Sequence, residues 1–397
     1  MSKSRARGFL AAGAAASAAV GALALTGYSP NAEGSGEIVL RVVPGTTQSA
    51  SGPDSVQARH VKAQATSASA LTAADFATVD GAVDASVIPN MTLIIGDADG
   101  ILHVHTKGNF DPNAATDLAS GSKWLFAAMA IRMVQAGKAN LGDHPQQYLT
   151  FWTTNPSDNR RTMTLDHLMS MRSGFNAGPL AGGCVSNGLL YTLQSCAQTI
   201  HNQGVDTAPG AAFSYGPHHM QVAAAMLEKA GNKSFNSLFA EYLTTPLGMT
   251  KTKYTKASAA NPWIAGGAQS SAYDYAKMLQ AFLGTSFITD MDDFTGARTI
   301  GLPRPYVPGD GDGHGTWQYA IGSFVECDDT PPAGQPARPC ATAKINSSPG
   351  ANGWLGWIDR EHGYYGLIAT RVLLSGSTKA VTLEQQLQPL ILDALNP

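Results

Sequence analysis

Strand-forming runs sit at both ends of this chain with a long helical stretch between them, an order that leaves few ways of closing a sheet. A helix at about 71–87 precedes apolar runs at 91–96 and 101–107, which are joined by the turn residues of 97–100. Two short runs across a tight turn read as a hairpin. Strand character returns only at 319–326, 353–359 and 364–371, ahead of a last helix at about 382–395. Helical periodicity fills the middle, at 123–136, 165–171, 220–230, 235–243 and 273–283. The expected fold is therefore α+β, an α/β sandwich. One antiparallel sheet is drawn from both termini and flanked by helices, and a mainly helical lobe is inserted between its halves. No internal repeat is present.

With 397 residues, 44% of them hydrophobic, the chain has ample material for a core. Its first residues place Lys3, Arg5 and Arg7 ahead of an uncharged stretch rich in Ala, Leu and Val, the layout of a secretory signal peptide. Residues 1–32 are read as that leader, with small-residue cleavage points after Ala24 and after Ala32; an uncleaved anchor is the alternative. Tyr28 stands where a lipid-modified cysteine would be needed. Residues 33–71, rich in Ser, Thr, Ala, Gly and Gln, read as a linker or surface arm, and 72–397 as the folded domain. Loss of the leader removes three cations and no carboxylate, moving the formal charge from -3 to -6. Nucleic acid is not an expected partner, and no stable membrane span is expected after cleavage. The location implied is secreted or periplasmic.

The four cysteines fall into two local pairs, Cys184 with Cys196 and Cys327 with Cys340, without the spacing of metal ligands. In an oxidising compartment they read as two disulfides; three connectivities are open, and the local one is the most economical.

Chemistry concentrates around Ser120 and Lys123. The three-residue step puts both on one face of the start of a helix whose apolar residues are Trp124, Ala127, Ala128, Ile131 and Val134. A serine hydroxyl becomes a nucleophile when a base takes its proton, and a desolvated lysine can be that base. Helix-start amides favour a nearby oxyanion. Alone, a Ser-x-x-Lys step is as well explained by a helix cap and a surface lysine.

Its surroundings add a pattern. Gly137, Lys138, Leu141, Asp143, Tyr148 and Leu149 follow it, then Thr164 to Met169 with Ser173, Gly174 and Phe175, then Pro209, Gly210, Phe213, Ser214 and Tyr215. Glu228 to Gly231, Pro246 to Met249, Gly266, Gly267 and Asp274 come after these. In order and spacing the chain resembles the serine β-lactamase and penicillin-binding-protein-like hydrolases, of the class C β-lactamase and family VIII esterase type, over about 72–395. The resemblance implies that Ser120 is the nucleophile, that Lys123 and Tyr215 manage its proton, and that the backbone amides of Ser120 and Ala351 hold the oxyanion. It also implies an acidic Tyr215, whose phenol is expected to lose its proton beside the lysine ammonium.

Two departures matter. Pro217 stands where β-lactamases carry an asparagine two positions after the tyrosine. Ser348, Pro349 and Gly350 stand where the family has a cation, a hydroxyl residue and glycine. The group that would hold a substrate carboxylate is missing, which argues against an efficient β-lactamase or carboxypeptidase. Ser348, Gly350, Pro217 and His218 are the candidate substrate contacts, and Arg371, at the end of the last strand, is the candidate replacement cation. The expectation is an exported serine hydrolase that cleaves carboxylic esters or amides through a Ser120 acyl-enzyme, with no cofactor and no metal. Its substrate is a small ester, amide or peptide. A D-amino-acid-type peptidase, amidase or weak β-lactamase, and a non-catalytic cell-envelope binding protein, are the alternatives. His103 and His105 alternate on one strand but lack a third ligand, and Asp310, Asp312 and His314 form only half of a calcium loop. The segments 176–208 and 328–342, holding the cysteines, are expected to border the cleft.

Overall fold

The computed structural model describes residues 71–72, 74–175, 183–308, 315–329, 337–373 and 375–396. The leader, all of the arm but its last residue, and the 310–314 loop lie outside the described residues. In chain order the elements are α1 (Ala77–Ala85), β1 (Met91–Asp97), β2 (Ile101–Lys107), β3 (Thr116–Asp117), α2 (Ser122–Gln135), α3 (Leu165–Met169), α4 (Leu193–Gln203), α5 (His218–Gly231) and α6 (Phe235–Phe239). Then come β4 (Lys253–Tyr254), β5 (Ala268–Ser270), α7 (Ala272–Leu283), α8 (Met291–Thr295), β6 (Gln318–Tyr319), β7 (Phe324–Val325), β8 (Ile345–Pro349), β9 (Leu355–Asp359), β10 (Tyr364–Thr370) and α9 (Gly376–Leu395).

Seven strands form one sheet in the order β2-β1-β10-β9-β8-β7-β6, every neighbouring pair antiparallel. The two N-terminal strands thus complete a sheet otherwise made from the C-terminal part. Met91 pairs with Thr370 and Asp97 with Tyr364, so β1 and β10 run the full length of each other. Every residue of β10 is buried, as are all of β8 and β9, because helices cover both faces of these strands. The α1 and α9 helices pack together on one face, and α7 lies against β1, β9 and β10 on the other. At Gly356 an added Cβ would sit 2.7 Å from the Tyr275 ring, so only glycine lets α7 come this close. The helical lobe holds α3 to α6, and a small second sheet in the order β3-β5-β4 lies beside the site.

One expected strand is divided. The run at 319–326 folds as the hairpin β6–β7, with Gly322 at φ 76 and the Ala320 amide donating to Ser323 O at 2.9 Å. Its unbroken apolar character hides the turn, because both arms and the turn are buried.

The α2 helix is buried on nearly all sides, from Ser122 through Ile131. A helix apolar all round belongs to the interior, where its first turn is fixed by packing on every side.

Candidate active site

Ser120 lies in a tight turn, Ala119–Gly121, that leads directly into α2. Ala119 adopts φ 47, a left-handed conformation costly for a residue with a Cβ, of the kind that collects at functional sites. The turn is held from several directions. Tyr275 of α7 donates its hydroxyl to Gly121 O at 3.2 Å, and the Ala268 amide of β5 donates to Ser122 Oγ at 3.0 Å. The Tyr254 hydroxyl lies 3.0 Å from Ser122 O.

Lys123 is 4% exposed, with Nζ 2.8 Å from Ser120 Oγ and 2.9 Å from Ala265 O. Among the described residues no carboxylate pairs with it. Removal from water is therefore uncompensated, and burial brings its pKa down from 10.5 to about 7. The Tyr215 ring packs beneath the amine, 4.6 Å from Nζ to the ring centroid, and the Ser120 hydroxyl hydrogen-bonds the phenol. Burial pushes the Tyr215 pKa well up, outweighing that hydrogen bond. This corrects the expectation of an acidic tyrosine. A neutral Lys123 provides no ammonium to stabilise a phenolate, and Tyr319 and Phe324 wall off the ring from water. The base at neutral pH in this cluster is the amine.

The end of β8 closes the other side. Ser348 is buried, and its hydroxyl approaches Ser120 O at 3.5 Å and hydrogen-bonds Tyr275. A Cβ on Gly350 would stand 2.2 Å from Leu118 O, so a side chain there would force the β8 end away from the nucleophile turn. Among the described residues the Ala351 amide has no acceptor, and its turn is fixed by the bonds Gly350 N to Trp354 O (2.7 Å) and Gly353 N to Gly350 O (2.8 Å).

Pro217 caps the start of α5, and His218 opens it, packed edge-on against Phe175. Burial lowers the His218 pKa to about 4 and the His219 pKa to about 3, so both rings are neutral at pH 7. Arg371 is exposed and lies 3.7 Å from Asp117, a carboxylate that Lys256 also approaches at 3.2 Å. It is thus committed to a surface ion pair on β3.

Sequence reading overlooked three supports. Ala265 contributes only a carbonyl, Tyr275 acts through α7, and Ser173 bonds His219 Nδ1 at 2.6 Å, tying the turn after α3 to α5. The glycines at 266 and 267 were the nearest available signal for the first. Tyr275 and the Ser173–His219 pair had none, since a buried tyrosine and a buried serine–histidine contact depend on tertiary packing. Both local disulfides form, Cys184 to Cys196 with Cα atoms 5.2 Å apart and Cys327 to Cys340 with Cα atoms 4.9 Å apart.

A sheet of this topology, helices on both faces and a buried serine–lysine–tyrosine cluster at the start of α2 define a serine hydrolase of the penicillin-recognising class. The chain belongs to the β-lactamase family, whose model matches residues 76–380. Among curated proteins it is 24% identical over 230 residues to D-alanyl-D-alanine-carboxypeptidase/endopeptidase AmpH of Escherichia coli K12, covering 51% of this chain and 60% of that protein. It is 20% identical over 168 residues to protein flp of Staphylococcus aureus N315, covering 42% and 34%. The chain thus spans about a third of the second protein and less than two-thirds of the first. Two solved structures share the fold. One is a β-lactamase/D-alanine carboxypeptidase from Yersinia pestis (TM-score 0.62, 17% identity, 81% of this chain and 100% of that one). The other is EstCE1, a hydrolase with promiscuous acyltransferase activity (TM-score 0.62, 17% identity, 79% and 97%). No helix among the described residues is long and apolar enough to cross a membrane, and two disulfides suit an oxidising compartment.

Proposed function

We propose that this chain is an exported hydrolase of carboxylic esters that works through an acyl-enzyme on Ser120. The observation that carries the reading is the 2.8 Å contact between Ser120 Oγ and a buried lysine that has no carboxylate partner. With a pKa of about 7, Lys123 is substantially neutral at pH 7 and takes the serine proton as Oγ attacks the substrate carbonyl. The amides of Ser120 and Ala351 receive the developing oxyanion. As the C–O bond to the leaving group breaks, the proton passes from the Lys123–Tyr215 pair to the departing oxygen. Tyr215, held protonated by burial, acts as a relay. Water then attacks the acyl carbonyl, gives its proton to the same pair, and Ser120 Oγ leaves with a proton restored.

Esters are favoured because the β8 end offers the hydroxyl of Ser348 and no cation to hold a carboxylate, and Arg371 is engaged by Asp117. The match to AmpH supports a second reading, a peptidase or amidase using the same three residues. The disulfide-closed segments, of which 176–182 and 330–336 lie outside the described residues, are read as cleft borders that tune substrate size. The leader 1–32 is read as the export signal.

Burst and steady-state turnover of a short-chain nitrophenyl ester and of a chromogenic cephalosporin, each beside Ser120→Ala, tests the reading. Ester turnover that disappears in the variant, with little cephalosporin cleavage, is the expected result. If ester turnover persists in Ser120→Ala, the assignment is wrong. If neither substrate reacts but a fluorophosphonate still labels Ser120, the peptidase reading takes precedence; no label at all leaves a binding protein.

A further inference from the structure

The alternation of His103 and His105 on β2 gives two imidazoles on one face, and the fold brings an acidic helix against that face. Two residues of strand advance about 6.6 Å and four residues of helix about 6 Å. Positions 76, 80 and 84 beside α1 can therefore stay in step with 103, 105 and 107. Phe76 stacks flat on the His103 ring, with centroids 4.4 Å apart. Lys107 Nζ donates to the carbonyls of Asp84 and Ser86 at the helix end, at 2.8 and 2.7 Å. Between these contacts, Asp80 Oδ1 lies 2.7 Å from His103 Nε2 and 3.5 Å from His105 Nδ1, and His105 Nε2 lies 2.9 Å from Asp84 Oδ1.

We propose that Asp80, His103 and His105 bind a zinc-like divalent cation, with Asp84 orienting His105. Ligands around tetrahedral zinc, bonded at 2.0–2.1 Å, stand about 3.3 Å apart. The two Asp80 separations bracket that value. Among the described residues no three such side chains are already set as a cage; here the His103–Asp80 hydrogen bond draws its partners closer than co-ligands stand. The adjustment is an opening of about 0.6 Å on the tetrahedral value, with the His103 proton moving to Nδ1. His105 needs no change. Its Nε2–H donates to the Asp84 carboxylate, so Nδ1 keeps its lone pair, the carboxylate–histidine–metal arrangement that orients ligands in many sites. The side chains of His103, His105 and Asp80 are 10%, 22% and 25% exposed, so an ion and a completing water reach them from solvent. Bound there, the cation clamps α1 onto β2, which is the outer strand of the sheet. None of the four residues belongs to the Ser120 cluster.

The test uses tag-free protein stripped with chelator and titrated with Zn²⁺ by calorimetry and by thermal unfolding, with Co²⁺ absorption as a second readout. One saturable site, a rise in melting temperature and tetrahedral cobalt bands are expected, with ester turnover unchanged. His105→Gln should abolish all three signals, and Asp84→Asn should weaken affinity by about 10- to 100-fold. Absence of a one-to-one site in the intact protein overturns the proposal, as does equal affinity in His105→Gln. Should that variant not fold, the cobalt spectrum of the intact protein decides, and an octahedral, water-like spectrum overturns the site.

Discussion

Two places in this molecule bury ionisable groups almost completely, and they put burial to opposite use. At the start of α2, Lys123 is a lone cation whose nearest polar atoms are a hydroxyl and a carbonyl. Under α9, Glu384 and Glu326 are held together by Gln388, whose amide nitrogen donates to both, at 2.9 Å to Glu326. Arg338 donates to the Gln388 oxygen at 2.6 Å and stands 4.0 Å from Glu326. Desolvation is the largest influence on all three groups: it lowers Lys123 to about 7 and raises both glutamates. A perturbed pKa therefore does not by itself mark an active site. Lys123 touches a nucleophile beside a free backbone amide, whereas the glutamates face only the helix and strands they join.

The comparison breaks most sharply at Lys123. In Lys123→Met the apolar stem is kept and the base removed, and turnover should fall on the order of 10³- to 10⁴-fold. Stability should hold or rise, because an uncompensated buried charge is gone. The sign follows from the lowered pKa. Between about 7 and 10.5 the unfolded chain holds a proton that the folded chain sheds, so wild-type stability gains from this residue as pH rises through that window, and the variant lacks the gain. Ester kinetics and melting curves from pH 6 to 10 measure both. A variant that is inactive because it has lost stability would remove the contrast.

Tyr215→Phe comes next. A protonated relay predicts a loss of about 10²-fold with the ascending limb of kcat/KM against pH still near 7, since that limb belongs to Lys123. A phenolate base predicts that the limb vanishes with the hydroxyl. Gly350→Ala should cost a similar or smaller factor, about 10- to 100-fold, by pushing the Ala351 amide off the oxyanion while Lys123 stays in place. Its pH limb should match wild type; a shifted limb would mean that the β8 end also sets the lysine environment.

Much of this site was legible because the family pattern is written in local steps: a serine three residues before a lysine, a tyrosine after a turn glycine. The sheet's closure from both termini was legible too, since β1, β2, β9 and β10 carry strong apolar runs. What escaped was set by tertiary packing. The β8 strand reads as polar, Asn346, Ser347 and Ser348, and is a strand only because β7 and β9 lie on either side of it. The expected acidity of Tyr215 failed for the same reason. Charge proximity is visible in a resemblance, but the depth of burial that neutralises the lysine and keeps the phenol protonated is not.

The smallest expected effect is the one that tests the structural half of the comparison. Glu384→Gln replaces one carboxyl of the buried pair by a group of nearly the same shape that cannot ionise. Both folded-state pKa values lie above the ordinary 4.5, so the unfolded chain releases these protons first. Their contribution to wild-type stability is therefore full below about pH 4.5 and is lost progressively as pH rises toward the folded values. The variant escapes part of that loss. Its melting temperature should match wild type near pH 4 and exceed it at pH 8 by on the order of 2 °C, while ester turnover stays within twofold at both pH values. A variant no more stable at pH 8 than wild type would mean that Arg338 already compensates an ionised pair. A change in turnover would mean that the α9 cluster is coupled to the Ser120 turn through β8, the strand that lies between them in the sheet.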